Sequence, residues 1–355
     1  MATKQSPIRR KSLLAEIVHE MGDCFGLRPR NDRGYSMDIL LTGSVAYDYL
    51  MTFPGRFQEQ ILPERLASIS LSFLVDSMSR QRGGIAPNIA YTMALLGEKP
   101  RIMATVGEDF SDYRNWLEAK GVDTSLMEVI PGQFTASFFA TTDQVSAQIA
   151  SFYPGAMAHS ALQSLKTLDK MPDLVLISPS APEAMMKFCA ECRELRIHYL
   201  YDPSQQVLRL EGSELARDME GAYFLFCNDY EFGLISKKTG WSLDQILDHV
   251  KVLVITRGKN GADLYAGPES VHIPTVPEDE IVDPTGVGDA FRGGFLAGYS
   301  RGFDWKLCGE IGSLAAVYCL EQRGPQSHNY SRTEFVTRFR RHFDDRGKLD
   351  ELLSQ

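Results

Sequence analysis

No stretch of this 355-residue chain approaches the roughly 18–20 consecutive apolar residues that a membrane-spanning helix needs. Runs such as Leu174 to Ile177 and Val252 to Ile255 have the length of strands. Cysteine is scarce: six residues, scattered along the chain, cannot make a disulfide scaffold and suit a reducing cytoplasm. Cys189 and Cys192 form a lone CxxC inside a helical pattern, Glu183 to Leu195, and read as two helical thiols. An excess of basic residues is missing as well. Thirty-seven Lys and Arg stand against 46 Asp and Glu, net −9, which excludes nucleic acid as the expected partner. Arg9 to Lys11 and Arg338 to His342 lie near the ends and read as a solvated tail and a helix face. The seven histidines show no metal-ligand spacing, and no GxxxxGK[ST] phosphate loop, internal repeat, low-complexity linker or secretory signal occurs.

The 44% of hydrophobic residues supply a core for one large α/β domain or two smaller ones. Residues 1–36 form an N-terminal extension in which Leu13, Leu14, Ile17, Val18 and Met21 fall on one face of a short amphipathic helix. Glu16, Glu20 and Asp23 argue against a transit peptide. From Met37 the punctuation becomes that of strands alternating with helices. Apolar runs at Asp38 to Ser44, Ile102 to Val106, Leu174 to Ser178, Ile197 to Tyr201, Ala222 to Phe226 and Val252 to Thr256 are expected strands. Helical patterns at Ile89 to Leu96, Tyr113 to Lys120, Glu183 to Leu195 and Leu243 to Val250 lie between them. This predicts an α/β fold over 37–335, with a mostly parallel central sheet flanked by helices and a C-terminal helix and tail over 336–355. Residues 49–80 and 132–155 alternate with a period nearer two and predict a small accessory β-sheet, a candidate lid.

In an open parallel sheet, ligands bind beyond the carboxyl ends of the strands, so the polar residues that follow each strand matter most. The sharpest run is Asp283-Pro284-Thr285-Gly286-Val287-Gly288-Asp289-Ala290, followed by a small-residue helix. Two glycines before a helix let backbone N–H groups converge at its positive end, an anion hole. Asp289 would repel a bound anion, but it suits a hydroxyl that must lose a proton beside one. Taken alone, the run is equally an Asp cap on a glycine-flanked helix. Gly286-Val287-Gly288 supplies half of a dinucleotide fingerprint, but Phe291 stands where its third glycine belongs. Arg82-Gly83-Gly84, with Asn88 four residues on, permits close backbone approach to a ligand; by itself it is also an ordinary turn before a helix.

Together, Gly83-Gly84 with Asn88, Asn228-Asp229-Tyr230-Glu231, Thr256 to Gly261 and the Asp283 to Asp289 run resemble the ribokinase (PfkB-type) sugar and nucleoside kinases, in that family's order, over residues 38 to 325. Gly43 to Asp48, Phe53 to Phe57, Ile149 to Met157 and Asp202-Pro203-Ser204-Gln205-Gln206 look most like the bacterial adenosine kinases. The resemblance implies a ribokinase-like fold and ATP-dependent phosphorylation of the adenosine 5′-hydroxyl. It makes Asp289 the base and Gly286, Val287 and Gly288 the anion hole. It places Asn228, Thr256, Gly258 and Gly261 around ATP, with Asn228 and Glu231 holding Mg²⁺ through water and phosphate. Ser44, Asp48, Gly84 and Asn88 would bind the ribose; Phe138 and Phe152 would sandwich the adenine, with Gln205 and Gln206 lining its site. A monovalent cation, K⁺, is expected near the anion-hole loop, and the lid as a homodimer contact. A ribose, fructose or other nucleoside kinase, and a non-catalytic nucleoside-binding protein, are the alternatives. Pro284, Val287 and the N-terminal extension depart from the family's wording.

Overall fold

A computed structural model describes residues 37–68 and 70–354. The amphipathic helix expected within residues 13–21 lies outside them. In chain order the strands are β1 (Ile39–Thr42), β2 (Ala46–Thr52), β3 (Ser77–Gly83), β4 (Arg101–Val106), β5 (Asp123–Val129), β6 (Ala136–Thr142), β7 (Gln148–Tyr153), β8 (Leu174–Ile177), β9 (His198–Tyr201), β10 (Phe224–Asn228), β11 (Val252–Thr256), β12 (Ala262–Ala266) and β13 (Glu269–Ile273). The principal helices are α1 (Ile85–Leu95), α2 (Ser111–Ala119), α3 (Pro182–Leu195), α4 (Gly212–Met219), α5 (Asp229–Thr239), α6 (Leu243–His249), α7 (Val287–Ser300), α8 (Trp305–Leu320) and α9 (Arg332–His342).

Nine strands form one sheet in the order β13-β12-β11-β10-β9-β8-β1-β4-β5. All neighbours run parallel except at the β11-β12 and β12-β13 pairs. Period-two alternation explains why the central strands are apolar throughout. Ile39, Leu41, Leu174, Leu176, Phe224, Phe226, Val252 and Val254 enter the core on one face; Leu40, Val175, Ile177, Leu225, Leu253 and Ile255 enter the core on the other. On the first face Phe295 of α7 meets Phe224 and Phe226 edge-on, with ring centroids 5.8 and 5.1 Å apart. The sequence pattern does not mark β5, β12 and β13, whose less buried faces include acidic and polar residues.

β3, β2, β6 and β7 form a separate four-stranded sheet in that order. It reaches beyond the expected segments, to Ala46 and Gly83, and its two ends join the main sheet directly through Gly43 to Val45 and through α1. Glycines set the helix spacing around the strand ends. A Cβ on Gly293 of α7 would lie 2.8 Å from Ile89 O of α1, and one on Gly294 would lie 2.9 Å from Gly312 Cα of α8. The small-residue helix after Asp289 is therefore a close-packing surface toward two neighbours.

Candidate active site

From β1 the main sheet grows first to β4 and β5 on one side, and then, from β8 onward, on the other side of β1. The strand order thus reverses beside β1, and the crevice of this sheet opens at its carboxyl end. The first residues there serve the protein's own backbone. Ser44 N donates to Pro179 O at 2.7 Å, and Ser44 Oγ accepts from Ile85 N at 3.1 Å, capping α1. Gly84 has φ 93°, and a Cβ on it would lie 2.4 Å from Ser44 O. A Cβ on Gly83 would lie 2.6 Å from Asp48 Oδ2. The glycine pair makes room for the β1–β2 turn and the Asp48 carboxyl.

α7 starts at Gly286, whose φ of 78° and contact with Pro325 (2.3 Å from a built Cβ to Pro325 Cβ) both require glycine. Val287 N turns back toward Pro284 O at 3.4 Å, and Ala290 N donates to Gly286 O at 2.8 Å. The amides of Gly286, Gly288 and Asp289 have no acceptor among the described residues, and they face the end of the helix that favours anions. Of the three residues expected to form the anion hole, Val287 is thus the one whose amide is partly engaged.

Asp289 is half-buried, and its Oδ2 accepts from Asn88 Nδ2 at 2.8 Å across 201 residues of sequence. Burial pushes its carboxyl up to about 7; Arg292 and the Asn88 hydrogen bond oppose that rise, and Asp202 and Glu231 add to it. Arg292, one helical turn on, is buried with its Nε 2.5 Å from Asp202 Oδ2 and its Nη2 2.9 Å from Asp202 Oδ1. No role for Arg292 was read from the sequence; the available signal was an arginine three residues after Asp289 on an otherwise apolar helix face.

Asn228 and Glu231 cap α5 reciprocally: Asn228 Oδ1 accepts from Glu231 N, and Glu231 Oε2 accepts from Asn228 N, each at 2.8 Å. Burial raises the Glu231 carboxyl. Among the described residues no three His, Cys, Asp or Glu are placed to hold a metal by themselves. Asp202, Glu231 and Asp289 nonetheless sit within electrostatic reach of the guanidinium of Arg292, a set of oxygen donors that suits a hydrated divalent cation. In the turn after β11, Gly261 has φ 81°, and its Cβ would meet Ile273 O at 2.0 Å, whereas Gly258 (φ 54°) faces open space. Thr256 ends β11 beside Asn228 of β10. Arg257 is held by Asp263 at 2.6 Å, leaving Lys259 as the exposed cation of this turn.

On the small sheet, Gln81, Asp48, Phe138 and Phe152 are register partners across four strands and share one face. Burial, and then Asp283, raise the Asp48 carboxyl to about 6. Phe138 and Phe152 are directly opposed neighbours on that face. Gln205 is exposed, while Gln206 is buried, with Nε2 donating to Ser180 O at 2.7 Å and Oε1 lacking a partner. Ser44, Asp48, Gly84, Asn88 and Asp289 therefore meet at the β1 crevice, with Asn228, Glu231, Thr256, Gly258 and Gly261 along the ends of β10 and β11.

A mostly parallel sheet flanked by helices, with a second small sheet joined to its switch point, is the ribokinase-like architecture. The chain belongs to the pfkB family of carbohydrate kinases, whose model matches residues 42–332. It is 29% identical over 306 residues to a nucleoside kinase of Methanocaldococcus jannaschii, covering 86% of this chain and 97% of that one. A nucleoside kinase of Methanothermobacter thermautotrophicus is 30% identical over 306 residues, 85% of this chain and 95% of that one. The solved structure of a Burkholderia thailandensis nucleoside kinase in complex with inosine superposes with a TM-score of 0.77 at 38% identity, covering 86% of this chain and 98% of that chain.

Proposed function

We propose that the protein is an ATP-dependent nucleoside kinase that transfers the γ-phosphoryl group to the 5′-hydroxyl of adenosine, giving AMP and ADP. The observation that carries this reading is the Asn88–Asp289 contact at 2.8 Å beside the unpartnered amides at the start of α7. Asp289 takes the hydroxyl proton as the O5′–P bond forms and the bond from the γ-phosphorus to the ADP oxygen breaks. The amides at Gly286, Gly288 and Asp289 receive the charge on the transferring group. Asp48 and Asn88 hold the ribose, and Phe138 with Phe152 forms a stacking wall for the base. Mg²⁺ arriving with ATP would neutralise phosphate charge; Glu231 and Asn228 would hold its water shell. K⁺ near the anion-hole loop, a cytoplasmic location and purine salvage belong to the same reading. The five cysteines among the described residues are free and buried, which suits a reducing compartment.

A second reading is inosine as the acceptor, favoured by the inosine complex of the Burkholderia protein at 38% identity. A coupled ADP-release assay across adenosine, inosine, guanosine, cytidine, ribose and fructose tests both. Preference for a purine nucleoside supports the proposal. Preference for a free sugar overturns the acceptor, and no turnover on any of them overturns the kinase.

A further inference from the structure

We propose that Gln326 is a positioning residue for Asp289, acting by fixing which end of the Asn88 carboxamide faces the base; this rests on the reading of Asp289 as that base. Gln326 follows α8 by a short loop and is buried. Its Nε2 donates to Asn88 Oδ1 at 2.9 Å and to the hydroxyl of Tyr113. Its Oε1 accepts from Trp116 Nε1 at 3.3 Å. Tyr113 OH donates in turn to Gly83 O at 2.9 Å.

The polarity of this network is determined from its two ends. An indole N–H can only donate, so Trp116 obliges Gln326 to present its oxygen there and its NH₂ to the other side. A backbone carbonyl can only accept, so Gly83 obliges Tyr113 to donate to it and to accept from Gln326. The remaining Gln326 proton meets Asn88 Oδ1, and Asn88 must then turn its Nδ2 toward Asp289. With the carboxamide reversed, Asn88 would set an oxygen against the carboxylate, and the base would lose the donor that holds it. Tyr113 and Trp116 stand three residues apart on α2, on one helix face, so a single rigid element orients both sides of Gln326. The glutamine therefore carries the orientation from α2 to a base on α7 that α2 does not touch through any of these bonds.

The test is a cycle of Gln326→Met, Trp116→Phe and the double variant, with Asp289→Asn in parallel. Hydrogen bonds to charged groups and the tenfold-per-step rate scale give an expected loss in kcat of about 10- to 100-fold for Gln326→Met. The ATP KM should stay within about twofold, because the phosphate turn is untouched. Trp116→Phe keeps the ring and removes the donor, so it should lower kcat by about threefold and add nothing to Gln326→Met in the double variant. In ¹⁵N-tryptophan spectra the indole resonance of Trp116 should shift in Gln326→Met, independently of activity. Wild-type kcat in a folded Gln326→Met, or additive losses in the cycle, overturns the proposal. Should Gln326→Met not fold, an unchanged kcat in Trp116→Phe overturns it. Turnover retained by Asp289→Asn overturns the base and with it the positioning role; lost turnover there beside wild-type kcat in Gln326→Met overturns the positioning role alone.

Discussion

Asp289 holds an unusual position for a carboxylate, because burial outweighs its two stabilising neighbours and lifts its pKa to about 7. A base with that value is half-protonated near neutrality, so kcat/KM should fall tenfold per pH unit below about 7 and level off above it. A profile flat down to pH 5 would show that another group takes the proton. Asp289→Asn keeps the shape and the acceptor for Asn88 but cannot take a proton, and should lower kcat by about 10²–10⁴. The same substitution should stabilise the fold in a pH-dependent way. The raised carboxyl binds a proton in the folded state between about 4 and 7, where the unfolded chain has released it, so wild-type stability falls as pH rises through that window. Asp289→Asn should therefore melt above wild type at pH 8, with the difference closing toward pH 4; an equal gain at both would trace it to packing. Glu231→Gln isolates a different charge, since glutamine can still accept from Asn228 N and keep the α5 cap. It should raise the Mg²⁺ concentration for half-maximal rate by about tenfold. An unchanged Mg²⁺ titration would reduce Glu231 to a cap.

At the scale of elements, the site depends on how closely α7 lies on α1. Gly293 has Ile89 O and Thr92 Cβ within 2.8 Å of where a side chain would begin. Gly293→Val should push the helices apart, cost about 1–3 kcal/mol in stability, and lengthen the Asn88–Asp289 contact. Calorimetry and kcat read the two effects together; a full rate in a destabilised variant would separate packing from the base. The small sheet makes its own contribution. On the proposal that Phe138 and Phe152 stack on the base, Phe152→Ala should remove stacking of roughly 1–3 kcal/mol and raise the nucleoside KM by about 10-fold or more. The ATP KM should not move, because Thr256 to Gly261 lies on the main sheet. Equal damage to both constants would mark Phe152 as a structural residue.

For the whole molecule, the outer face of the small sheet carries Tyr49 stacked on Phe139 at 4.8 Å, with Met78, Phe139 and Ile149 exposed by 66, 39 and 44%. This is the face opposite Phe138 and Phe152, so a second copy could cover it without closing the site. The expected homodimer should then be lost in Phe139→Lys/Ile149→Lys, read by light scattering. A dimer that survives the double variant uses another surface.

Composition and periodicity alone determined the α/β class, the position of six central strands and the small sheet, because a parallel strand buried on both faces leaves a continuous apolar run that few other structures produce. The spacing of Gly286, Gly288 and Asp289 likewise announced a helix N-terminus, since glycine before a helix and an acid in its first turn are local requirements. β12 and β13 stayed hidden, as half-exposed strands carry no such run. What only the tertiary structure decided are the pairings across long stretches of chain: Asn88 with Asp289, Arg292 with Asp202, and Gln326 with Asn88. The direction of a hydrogen bond and the pKa of a carboxyl depend on what surrounds them in space. A chain written in order does not state which distant donor, charge or apolar wall will arrive there.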